Sequence, residues 1–129
     1  MEQLKILVAE DEETTRLLFG IAFKGMENVE LRFAANGEEA LTSLKAWHPD
    51  ILLLDIRMPE MNGFEVLQVL RQVLNDKKTT VIMVSSVGEK NEIVVCAKLG
   101  IQGYILKPFV TKTLAATVLG YHKKARQQA

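Results

Sequence analysis

The sequence predicts an α/β fold: a doubly wound, five-stranded parallel sheet with helices on both faces. Three observations carry this. Short apolar runs recur at Lys5–Ala9, Val29–Ala34, Ile51–Leu54, Val81–Val84 and Tyr104–Leu106. Segments of helical period separate them. Three of the five runs are almost continuously apolar, as strands covered on both faces are. Alternation of strand and helix requires parallel strands joined by right-handed crossovers.

Taken in order, the first run is Lys5-Ile-Leu-Val-Ala9, and Thr14–Met26 follows with Leu17, Leu18, Ile21 and Ala22 on one helical face, expected to be its core face. The second run, Val29–Ala34, alternates more than the others, which suits a sheet edge. Asn36-Gly37 then precedes a helix over Glu38–Trp47, whose leading acids favour the helix N-terminus. Pro49 blocks its extension. Ile51–Leu54 leads into a helix over Phe64–Leu74, and Val81–Val84 into one over Asn91–Leu99. Gly25 and Gly100 are placed to cap helix C-termini. Tyr104–Leu106 precedes a last helix over Val110–Lys124, after which the polar residues from Lys123 to Ala129 are expected to fray. The whole chain, 1–129, reads as one domain with its core at about 4–124, since 129 residues suit a single hydrophobic core.

Charge excludes several classes of function. Sixteen basic and sixteen acidic residues give no net charge, so no general basic field invites nucleic acid or a membrane. The balance conceals an asymmetry: residues 1–65 hold thirteen acids and six bases, residues 66–129 three acids and ten bases. One cysteine, Cys96, rules out an internal disulfide framework and reads as a small buried helix residue; His48 and His122 are too far apart in sequence to make a metal-binding pair motif. No apolar run approaches the length of a membrane span, and the start of the chain lacks a secretory pattern, which makes the cytoplasm the expected compartment.

In an open parallel sheet, ligands bind beyond the carboxyl ends of the strands. Glu10 and Asp11 follow the first run, Asp55 the third, Ser85 and Ser86 the fourth, and Lys107-Pro108 the fifth. The topology brings these to one edge: three carboxylates, a hydroxyl and an ammonium. Carboxylates so close raise one another's pKa, and a divalent cation relieves this. Mg²⁺ suits one or two carboxylates, waters and a substrate phosphate. Glu12 and Glu13, by contrast, read as solvated loop or helix-start acids.

These residues carry a resemblance. Ile-Leu-Val-Ala-Glu10-Asp11-Glu12, Leu-Leu-Leu-Asp55-Ile-Arg-Met-Pro59-Glu-Met-Asn-Gly63, Val-Ile-Met-Val-Ser85-Ser86 and Gly103-Tyr104-Ile-Leu-Lys107-Pro108-Phe109 resemble the receiver domains of two-component response regulators over essentially the whole chain. The resemblance implies a flavodoxin-like sheet of order 2-1-3-4-5. It implies that Asp55 accepts a phosphoryl group as a carboxylate nucleophile. Glu10, Asp11, Asp55 and the backbone carbonyl of Arg57 would hold Mg²⁺, with Mn²⁺ an alternative. Lys107, aimed by a cis Lys107-Pro108 peptide, and Ser85 would contact phosphoryl oxygens. Ser85 and Tyr104 would form a switch, read out on the face of the fourth helix, fifth strand and fifth helix around Val94, Val95, Gln102 and Tyr104. Glu10 stands where Asp is commoner, and Ser85 where Thr is.

The partners so implied are a histidine kinase or phosphotransfer protein upstream and a downstream protein or fused output domain. No nucleic acid or membrane contact is expected from the domain itself, which would be a monomer or a phosphorylation-dependent dimer without turnover of an external substrate. Five consecutive apolar residues, Ile93 to Ala97, cannot all be hidden by one helix, so Val94 or Val95 should reach the surface. The small, uncharged Thr113, Ala116, Thr117 and Gly120 on the last helix point to apolar contact there. The competing enzyme reading is a Mg-dependent phosphatase of haloacid-dehalogenase type with an Asp nucleophile. That class wants a second Asp where Arg57 stands and its nucleophile on the first core strand. A flavin module would need a phosphate-binding loop where Glu10-Asp11-Glu12-Glu13 would repel one.

Overall fold

The computed structural model describes residues 3–128. Five parallel strands form one sheet in the order β2-β1-β3-β4-β5: β1 Leu4–Ala9, β2 Val29–Ala34, β3 Ile51–Asp55, β4 Thr80–Ser86 and β5 Gly103–Lys107. Helices α1 Glu13–Ala22, α2 Gly37–Trp47, α3 Gly63–Gln68, α4 Lys90–Leu99 and α5 Thr111–Gln127 connect and cover them. α3 continues as a π-helical turn over Val69–Val73, and a 3-10 turn at Val87–Glu89 leads into α4. None of the described helices is long and apolar enough to cross a membrane.

The period-two rule of a strand divides the core cleanly. Leu7, Ala9, Leu52, Leu54, Val81 and Met83 point to one face, where they meet Ala40, Leu44, Val66, Leu67, Leu70 and Cys96 from α2, α3 and α4. Ile6, Val8, Ile51, Leu53, Ile82 and Val84 point to the other and meet Phe19, Phe23, Leu114 and Val118 from α1 and α5. β3, central and flanked on both faces, is buried at every residue, whereas the edge strands β2 and β5 are only partly covered.

Several local expectations change. α1 buries Phe19 and Phe23, while Leu17, Leu18 and Ile21 face outward, Leu17 being 64% exposed. Both sets have helical spacing, and the larger aromatic pair is the one that fills the space under α5, where the Phe19 ring packs tilted against Phe109 with ring centroids 4.8 Å apart. α5 does not fray after Lys124: it runs to Gln127 with basic residues in its last turn, where they complement the helix dipole. Gly100 caps α4 as expected, with φ 104°, but α1 ends on Phe23 rather than Gly25, and α2 closes on His48 in the left-handed region, with φ 50°.

Candidate functional site

The strand register assembles the site. Ala9 lies beside Leu54, Asp55 beside Val84, and Ser86 beside Lys107, so Glu10, Asp55, Ser85 and Lys107 all emerge at the same edge. Local bonds then fix each one. The Glu10 amide donates to Ala34 O, and Arg16 Nη1 donates to Glu10 O at 2.7 Å. After β3 the chain turns back at once: Ile56 N donates to Val84 O and Gly63 N to Ile56 O. Gly63 is required there, since a Cβ would overlap the backbone carbonyl of Asp55. Asn62 and Glu65 close a reciprocal capping box at the start of α3, which fixes the far end of this loop. The Lys107-Pro108 peptide is cis.

The side chains converge. Lys107 Nζ donates to Asp55 Oδ2 at 3.1 Å and lies 2.8 Å from Glu10 Oε1 and 4.0 Å from Glu12 Oε1. Glu10, Asp11 and Asp55 each place a carboxylate oxygen within 4.8 Å of the others; Glu10 and Asp55 are buried and Asp11 is exposed. Like charges about 5 Å apart repel by roughly 3 kcal/mol at an effective dielectric of 20. One ammonium does not cancel three carboxylates. Burial first, and Asp55 beside it, push the Glu10 carboxyl up to about 7 against the pull of Lys107. Burial works against the Lys107 ammonium, but its contacts with Glu10 and Asp55 outweigh that and raise its pKa. An all-oxygen donor set with excess negative charge fits a hard divalent cation, and the cluster has the composition such an ion requires.

Ser85 is fully buried, and its Oγ has no hydrogen-bond partner among the described residues. A buried hydroxyl without a partner is costly unless a ligand supplies one. Tyr104, on β5, is 48% exposed at the rim. Tyr121 covers Gly103, where a Cβ would meet its ring at 2.6 Å, and its hydroxyl donates to Tyr104 O. Val94 and Val95 are both exposed on α4, as are Thr113, Ala116, Thr117 and Gly120 on α5. Gln102 is not part of this face. Its Oε1 turns inward to accept from Val81 N at 2.8 Å and Arg71 Nη2 at 3.2 Å, because burial leaves those donors needing a partner.

Met58 is buried, and Met61 and Phe64 pack against the core beneath the Asp55 loop. Cys96 is buried, and burial with Glu92 nearby pushes its thiol up, away from reactivity. Sequence reasoning missed the Arg57 side chain. Its amide donates to Asp55 Oδ1 at 3.1 Å, but its guanidinium crosses to Glu89 and Glu92. Burial raises the Glu89 carboxyl, but bonds from Ser86 and Arg57 outweigh it and hold the group below its ordinary range. A pattern of Arg two residues after Asp55 with acids 32 and 35 residues further on carries no local signal.

A family model described as the response regulator receiver domain matches residues 6–119. The chain belongs to that family: it is a receiver domain of two-component response regulators. It is 35% identical over 105 residues to the regulatory protein AtoC of Escherichia coli strain K12, a match covering 81% of this chain and 22% of that protein. It is 32% identical over 114 residues to the DNA-binding response regulator MtrA of Mycobacterium tuberculosis, covering 88% and 48%. Among solved structures it resembles the receiver domain of AraT, a response regulator from Geobacillus stearothermophilus, at 28% identity and TM-score 0.83, covering 97% of both chains. Chemotaxis response regulator CheY4 of Vibrio cholerae gives 26% identity and TM-score 0.83, covering 92% of this chain and 98% of that one. The chain thus spans less than half the length of these two curated relatives. The matches lend nothing to the phosphatase alternative.

Proposed function

We propose that Asp55 is the phosphoacceptor of this receiver domain and that Mg²⁺, or Mn²⁺ in its place, is needed for the transfer. The observation that carries the reading is a buried Asp55 carboxylate bonded to Lys107, beside a buried Ser85 hydroxyl that has no partner among the described residues. Asp55 attacks the phosphorus of a phosphohistidine or small phosphodonor. The new carboxylate O–P bond forms as the donor's bond to phosphorus breaks, and the leaving group keeps that electron pair. Lys107 neutralises charge on a phosphoryl oxygen, and the Ser85 hydroxyl donates to another. Glu10, Asp11, Asp55 and the Arg57 carbonyl are the groups proposed to hold the metal, which when bound offsets the negative charge of the incoming phosphoryl group.

The consequence is a change in partner affinity rather than turnover of an external substrate. Phosphorylation adds charge and acceptor oxygens beside Ser85 and Lys107. Movement of Ser85 toward them opens space for Tyr104, and the α4–β5–α5 face around Val94, Val95 and Tyr104 presents the result. A histidine kinase or phosphotransfer protein is the proposed upstream partner, and a downstream protein or attached output domain the reader, in the cytoplasm.

Intact-mass measurement after acetyl phosphate treatment tests the acceptor. Wild type should gain one phosphoryl mass in Mg²⁺ and none in EDTA, and Asp55→Asn none in either. A gain in Asp55→Asn equal to wild type would sink the assignment.

A further inference from the structure

Arg57 does something its backbone role does not require. Its side chain leaves the Asp55 loop and reaches across to the segment that starts α4. Nε donates to Glu89 Oε2 at 2.6 Å, and Nη2 to Glu92 Oε1 at 3.2 Å. Glu89 is buried, and its other oxygen accepts from Ser86 N at 2.6 Å and Ser86 Oγ at 3.0 Å. A continuous chain of bonds therefore runs from the Asp55 carboxylate through the Arg57 amide and guanidinium to Glu89, to the neighbour of Ser85, and to the first turn of α4.

Two features mark this contact as able to open. The Arg57 side chain is 69% exposed, so the ion pairs rather than close packing hold it in place. Glu92 is only half satisfied: its Oε2 is buried with no partner among the described residues. The closed arrangement thus carries a cost that opening relieves. A phosphoryl group on Asp55 would bring a dianion and three strong acceptors to within the reach of a guanidinium already anchored by its own amide to that residue.

We propose that Arg57 is a positioning residue that couples the acceptor to α4: paired with Glu89 and Glu92 it clamps the start of α4 to the Asp55 loop, and a phosphoryl group on Asp55 draws the guanidinium away and releases residues 87–92. The proposal rests on Asp55 being the acceptor. It makes Glu89 a competitor of the phosphoryl group for one cation. Two consequences follow. In the unmodified domain the start of α4 is tied to the Asp55 loop through ion pairs of an exposed Arg57, while Cys96 further along α4 stays packed on the core, and the strength of that tie sets how tightly the phosphorylated state is favoured.

A double-mutant cycle on the affinity for the phosphoryl mimic beryllofluoride in Mg²⁺ tests this. Each substitution leaves the backbone amide and carbonyl of Arg57 in place. Glu89→Gln keeps an acceptor for Ser86 but gives up the charge. In the Arg57 background it should tighten beryllofluoride binding by about tenfold, because the guanidinium then keeps only its longer pair with the more exposed Glu92. In the Arg57→Ala background the same substitution should change it by less than about twofold. Arg57→Lys should restore part of the coupling, since a cation is returned without the forked geometry. Hydrogen exchange gives a second readout: beryllofluoride should speed exchange over residues 87–92 in wild type, and Glu89→Gln should show faster exchange there without the mimic. An equal effect of Glu89→Gln in both backgrounds overturns the clamp while leaving Asp55 as acceptor. Failure of wild type to bind beryllofluoride, with Asp55→Asn no different, overturns the acceptor assignment and the clamp with it.

Discussion

At the edge where the strands begin, Arg71 is buried and donates to Gly100 O, Asp76 O, Thr79 O and Gln102 Oε1, all within 3.2 Å. At the edge where they end, Glu10 and Asp55 are equally buried, share one ammonium with the exposed Asp11 nearby, and sit beside a hydroxyl with no partner among the described residues. Both ends bury charge, which is expensive unless compensated. The first end compensates it within the chain and so ties α3, α4, β4 and β5 together. The second leaves excess negative charge and an idle donor, a combination that a cation and a phosphoryl group would complete. Polar groups that serve the fold are satisfied by the fold; those that serve a ligand are left waiting.

The contrast can be broken most forcefully at Arg71. Replacing it with Met keeps apolar bulk but strands carbonyls of Gly100, Asp76 and Thr79, so urea unfolding should report a loss of roughly 3 kcal/mol. A loss below about 1 kcal/mol would mean that the network is not what closes this end.

The opposite edge should respond to pH in metal-free protein. Glu10 titrates near 7 in the fold against an ordinary value of 4.5. Between these values the folded state keeps a proton that the unfolded chain has released. The contribution of Glu10 is therefore fully present below about pH 4.5 and is lost as pH rises through about 7. Urea midpoints in EDTA at several pH values should fall across that window, and Mg²⁺ should flatten the decline. A flat profile in EDTA would remove the idea that this edge is crowded.

The smallest effect is expected from Glu10→Gln at pH 8 without metal. It removes one repelling charge but also the ion pair to Lys107, leaving a net gain of about 1 kcal/mol, while the stabilisation by millimolar Mg²⁺ shrinks. A destabilised variant with unaltered Mg²⁺ response would place Glu10 among the structural groups instead.

Much of the ligand-facing edge was legible because each of its groups follows directly on an apolar strand. Glu10, Asp55, Ser85 and Lys107 needed only the topology to bring them together. The Arg71 network was not, since its acceptors are mostly backbone carbonyls, which leave no trace in side-chain identity. Gln102 departs from the outer face for a related reason: its position beside β5 is readable, but the direction of its side chain depends on the Val81 amide, which donates to it. α1 shows the same limit. Leu17, Leu18 and Ile21 have the spacing of a buried stripe, and so do Phe19 and Phe23; helical period alone does not choose between overlapping stripes.

Local rules are enough to specify five strands of alternating or continuous apolarity, parallel because helices intervene, with polar side chains at their carboxyl ends. Counting more apolar residues than one face can hide requires that Val94 or Val95 be exposed on α4, and in the structure both are. Long-range packing settles the choices between equally good local options. These are which face of α1 meets α5, where Gln102 turns, and that Arg57 reaches across 32 residues to Glu89 rather than into solvent. One cause is common to all three. Each is settled by a neighbour distant in sequence that supplies either space to fill or a charge or hydrogen bond to complete, and such pairings exist only once the sheet has brought the two segments side by side.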